Sequence, residues 1–174
     1  DYSHVPRKTH SVRITPAEVI LDGRRIETEG SGAEMLTRIY KTRVGGYAKF
    51  YKMDRLSRLG FIAAELLLQA EGTTRFEERE DRAVVFFNHS SSVDSDRKYM
   101  QSINDGEEYF PSPSVFVYTL PNIVTGEIAM RNKYYGETSF YILSEPDETL
   151  MDTILRATFS DSTTESVLGG WIDY

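Results

Sequence analysis

Cysteine is absent from the 174-residue chain, histidine occurs three times and tryptophan once. The first absence excludes disulfides, thiolate-held zinc and iron–sulfur clusters, and any cysteine nucleophile. No uninterrupted apolar run approaches the ~18 residues that a membrane span needs. No charged-then-apolar leader opens the sequence, so the expectation is a cytoplasmic protein without a membrane span. His4, His10 and His89 share no helical spacing, and Asp94-Ser95-Asp96 lacks the glycine and distal glutamate of a calcium loop. Gly30-Ser31-Gly32, Gly45-Gly46 and Gly169-Gly170 match neither nucleotide-binding fingerprint. No metal and no cofactor are expected.

What is present reads as one folded unit. The length suits a single domain over residues 1–174, with residues 1–10 as a terminal arm. Charge is unevenly placed. Residues 38–58 hold Arg38, Lys41, Arg43, Lys49, Lys52, Arg55 and Arg58 against the single acid Asp54, in a chain whose net charge is −7. Tyr40, Tyr47, Phe50 and Tyr51 interleave these cations, as on nucleic-acid surfaces. The acidic whole argues against nucleic acid and permits docking of a small acidic partner. A plain solvated helix face would leave the same pattern.

Along the chain, Val12 and Ile14 alternate with Ser11 and Arg13, then the apolar run Val19 to Leu21, Asp22-Gly23 and a second short run ending at Ile26 predict strand, turn and strand. Ala33 to Lys41 predicts a helix broken by Gly45-Gly46. The strongest helix runs from about Met53 to Ala70, with Met53, Leu56, Gly60, Ala63, Ala64 and Leu67 at spacings of three and four. Leu59, Ile62, Leu66 and Leu68 cover much of its remaining surface, which predicts burial on more than one side. Ala83 to Phe87 reads as a central strand buried on both faces. Asn122 to about Arg131 and Glu148 to Phe159 read as helices, Ser139 to Leu143 as a strand, and Val167 to Ile172 as a final strand interrupted by Gly169-Gly170. The order predicts an α/β domain with a mixed sheet packed by helices.

Asn88-His89-Ser90-Ser91-Ser92 follows the central strand, at the end where α/β sheets place ligands. Asp94 lies close by, yet members of a serine–histidine–aspartate triad usually converge from separate elements, and no Gly-x-Ser-x-Gly elbow exists. Loop capping is the simpler use of those serines.

Three segments, in order, resemble the amino-terminal half of a β-ketoacyl synthase, a thiolase-fold condensing enzyme. They are YAKFYKMDRLSRLGFIAAELLL (Tyr47 to Leu68), AVVFFNHSSS (Ala83 to Ser92) and PSPSVFVYTLPNIVTGEIAMRNKYYGETSFYIL (Pro111 to Leu143). The resemblance covers about residues 47–174 and implies a thiolase-like half, a single layered α/β domain. It places the family's nucleophile turn on Ser144, Glu145 and Pro146, with Glu145 on or beside the cysteine position. It sets a pocket at His89, Ser90 and Asn122. The family's two catalytic histidines belong to a carboxyl-terminal half with no counterpart in this sequence. The expectation is a non-catalytic subunit of fatty-acid or polyketide biosynthesis, docking an acyl carrier protein through Lys49, Lys52, Arg55 and Arg58. Ser139, Phe140, Tyr141, Ile142 and Leu143 are the expected dimer strand, pairing with a second copy or with a full-length synthase. The alternative is a hydrolase or acyltransferase, with Glu145 as general base assisted by Ser144 or His89.

Overall fold

A computed structural model describes residues 7–89, 123–143, 146–160 and 163–173 of the chain. The architecture is mixed α/β, in two compact units, Asp1–Phe76 and Glu77–Tyr174.

In the first unit, β1 (Val12–Ile14), β2 (Val19–Leu21) and β3 (Arg24–Arg25) form an antiparallel meander. The β2–β3 turn is Asp22-Gly23, both residues at positive φ (51° and 79°), the backbone for which Asp-Gly pairs are favoured. The Asp22 carboxylate accepts the Ser11 amide at 2.8 Å and lies 2.9 Å from His10 Nδ1. These bonds hold its pKa below the ordinary carboxylate value.

Helix α1 (Gly32–Ile39) buries Met35, Leu36 and Ile39. It widens into a π turn, Tyr40–Val44, where the sequence predicts only a helix to Lys41. A short 3-10 helix, Ala48–Lys52, leads to α2 (Arg55–Glu71). The bounds of α2 have local causes. Asp54 caps its first turn by accepting the Ser57 amide, and Gly72 ends it in the left-handed region at φ 69°.

The inward face of α2 differs from the expected stripe. Met53, Gly60 and Ala64 of that stripe, and Ile62, Leu66 and Leu68 beside it, are buried as expected, but Leu56, Ala63 and Leu67 are only half-buried, while Ser57, Phe61 and Glu65 are buried. Two interactions invisible to periodicity turn the helix. Phe61 joins an aromatic cluster with Tyr40, Tyr47 and Phe50, and Glu65 is drawn in by Arg75, whose Nη2 donates to both carboxylate oxygens at 2.9 and 3.0 Å.

The second unit is built on β4 (Arg82–His89), β5 (Thr138–Leu143) and β6 (Ser166–Trp171). Their order is β5-β4-β6, and both pairings with β4 are parallel. Among the described residues, the one mixed sheet expected from sequence is therefore two separate sheets, one antiparallel and one parallel. A tight turn can return a strand only antiparallel, whereas helices between strands bring each back in the same sense. Helix α3 (Ile123–Asn132) packs on β4 and β5, and α4 (Glu148–Thr158) on β4 and β6. Ala83, Val85, Phe87 and Leu143 form the core against Leu150, Met151, Ile154 and Leu155 of α4. Val84, Phe86, Phe140 and Ile142 are buried on the opposite face, so the central strand is apolar on both sides as its sequence predicts.

Two glycines set these distances. At Gly169 a Cβ would lie 2.9 Å from Leu155 Cδ2, so β6 runs through the pair as a continuous strand instead of breaking there. At Gly136 a Cβ would overlap the Arg82 carbonyl oxygen. Arg82 itself is buried, its Nε donating to Ser166 Oγ at 3.1 Å and its Nη1 to Tyr134 Oη at 3.4 Å. One residue earlier, hydrogen bonding from the Arg79 guanidinium lowers the Asp81 pKa, while the Asp81 carbonyl receives the Glu165 and Ser166 amides.

Candidate functional site

Parallel pairing decides what the second unit can present at one end. His89 lies opposite Leu143 in the β4–β5 register, so the two strands end side by side at the carboxyl end of the sheet. Parallel sheets bind ligands at that end. His89 contributes its backbone there; Ser90, Asn122, Ser144 and Glu145 lie outside the described residues. Pro146 is exposed just before α4. Asp147 caps that helix, its carboxylate accepting the Leu150 amide at 3.0 Å, and Glu148 is the acid of the first turn. The cap places a negative group where the helix dipole favours one.

Asn88, which the sequence marks only as the start of the segment 88–92, is fully buried at this end. Its Nδ2 donates to the Ile172 carbonyl at 2.6 Å and ties β4 to the residue after β6. Its Oδ1 has no partner among the described residues. The signal available was an amide closing an otherwise apolar strand.

β5 stands at the end of the described strand order, with β4 as its partner on one side. Phe140, Ile142 and Leu143 are fully buried, Ser139 is buried and Tyr141 is half-buried against Phe87, ring centroids 5.5 Å apart. The expected dimer strand thus spends its side chains within the unit, and an edge contact would have to use its backbone.

The basic segment lies in the first unit. Lys49, Lys52 and Arg55 are exposed on the 3-10 helix and the start of α2. Arg58 is placed differently. It is half-buried, its guanidinium lies 5.3 Å from the Phe50 ring centroid, its Nη2 donates to the Tyr51 carbonyl at 2.8 Å, and its buried Nε has no partner among the described residues. Arg38 is neutralised by Glu29 and Glu34, at 2.6 and 3.1 Å.

The aromatic residues between these cations pack on one another. Tyr40 stacks on Phe50 with centroids 4.3 Å apart, Tyr47 stacks on Phe61 at 5.4 Å, and Tyr40 Oη accepts the Tyr47 amide at 2.7 Å. Tyr40, Phe50 and Phe61 are buried, so they serve the core and offer no platform on which bases could stack.

Among the described residues no helix is long and apolar enough to cross a membrane. No protein-family model matches the chain, and neither does any curated protein or solved structure.

Proposed function

We propose that the chain is a non-catalytic, β-ketoacyl-synthase-like subunit that receives an acyl carrier protein. The observation that carries this reading is the exposed set Lys49, Lys52 and Arg55, mounted beside a packed aromatic cluster in a chain of net charge −7. A local cationic field on an acidic protein speeds encounter with a small acidic partner. The second unit supports it by bringing β5 into residues 144–146 and then into a capped helix, an order in keeping with a nucleophile turn. By the resemblance, Glu145 stands on or beside the position where the family carries cysteine, and the chain contains no cysteine. Thiolate chemistry is therefore closed to it. Association with a second copy or with a full-length synthase through the edge of β5 belongs to the same proposal.

The alternative, acyl hydrolysis or transfer through Glu145 and Ser144, makes a different kinetic prediction. With the subunit reading, purified protein releases no thiol above background from an acyl thioester, and Glu145→Gln changes nothing. Turnover that Glu145→Gln abolishes would replace the subunit reading with the enzymatic one.

A further inference from the structure

We infer that Tyr51 is the anchor of the partner-binding surface, and that Lys41 and Arg43 extend its basic rim beyond Lys49, Lys52 and Arg55; this rests on the carrier-protein reading above. Tyr51 is 48% exposed, yet it is held from several sides. Its ring meets Tyr40 edge-on at 5.4 Å and Phe50 at 5.7 Å, and its carbonyl accepts Arg58 Nη2. An aromatic ring fixed before binding has little conformational entropy left to lose, and tyrosine is among the residues that dominate interface energies.

Lys49 and Lys52 flank Tyr51 on the same short helix. The π turn that carries Lys41 and Arg43 is tied to this helix by the Tyr40–Phe50 stack. It is tied to α2 by Gln69 Nε2, which donates to the Arg43 carbonyl at 2.7 Å. Lys41 and Arg43 are exposed, and among the described residues neither enters an ion pair. Arg58, with its guanidinium against Phe50, acts as a prop for Tyr51 rather than as a docking charge. The occupant is the acidic face of a carrier protein. The remaining acid excess of the chain repels a long polyanion, which would cross more of the surface than a small acidic face does.

Stopped-flow association with purified holo acyl carrier protein separates the two roles. Lys41→Glu with Arg43→Glu is expected to slow association about tenfold at low salt and little at high salt. Tyr51→Ala, or Tyr51→Leu should the alanine variant unfold, is expected to speed dissociation about tenfold while keeping the salt dependence, and Tyr51→Phe to retain wild-type rates. Unchanged dissociation in a folded Tyr51 variant overturns the anchor, and unchanged association in the double variant overturns the extended rim, each leaving carrier docking in place. Tighter binding of single-stranded DNA or anionic vesicles overturns the occupant. No binding by the wild-type chain removes the carrier reading, and this surface with it.

Discussion

Gly136→Ala is expected to destabilise the second unit by about 3 kcal/mol, the upper part of the range for forcing an extra carbon into packed structure. The added Cβ would overlap the Arg82 carbonyl oxygen and lie 3.0 Å from the Arg82 carbonyl carbon and 3.2 Å from the Glu80 carbonyl oxygen. All three are backbone atoms, which cannot swing aside as a side-chain tip can. They sit at the start of β4, the strand that pairs with both neighbours, so any shift disturbs both pairings. For a unit of this size the loss corresponds to a fall in Tm of roughly 15 °C, read by circular dichroism. Gly126→Ala in α3 is the matched control, because a Cβ there meets nothing within 4 Å. Alanine should stabilise that helix by up to about 1 kcal/mol. Equal melting of the two variants would contradict the close approach of Gly136 to β4.

Arg75→Met is expected to cost about 3 kcal/mol. It takes the Arg75 guanidinium away from the Glu65 carboxylate, whose side chain is 2% exposed. Removing one partner of a buried pair typically costs about 3–5 kcal/mol, and the 17% exposure of Arg75 places this pair at the lower end. Replacing both groups, Glu65→Leu with Arg75→Met, is expected to recover most of the loss, since apolar residues of similar volume substitute well for a buried pair. A double variant no more stable than Arg75→Met would show that the pair itself, rather than the cost of the buried charge, supports the fold. Chemical denaturation of the two variants and the wild type measures both quantities.

How much of this was legible in the sequence follows the range of the interactions. The β2–β3 hairpin was readable because Asp22-Gly23 specifies its turn within two residues. The extent of α2 was readable to within two residues from its apolar spacing, and Asp54 and Gly72, which act on the adjacent turns, set the ends themselves. The face of α2 was not. Hydrophobic spacing ranks Leu56 and Phe61 alike, and only the Tyr40, Tyr47 and Phe50 rings decide that Phe61 points inward. Burial of Glu65 depends on Arg75, ten residues away and beyond the end of the helix. Gly169-Gly170 reads as a break until Leu155 is seen to pack against the first glycine. At the candidate site, the buried Asn88 was hidden by its bond to Ile172, 84 residues further on. The cations at 49, 52 and 55 could be read as a surface from charge alone; the different use of Arg58 needed the position of Phe50.

A salt titration of binding to purified holo acyl carrier protein tests the proposed function most directly. Wild-type protein and variants carrying Lys52→Glu and Arg55→Glu, both exposed positions, would be compared by calorimetry. Docking on the basic surface predicts an affinity that falls as salt rises and is weakened by either reversal, because exposed charges act through a field that salt screens. Binding that ignores both salt and these reversals, or no binding at low salt, would contradict it.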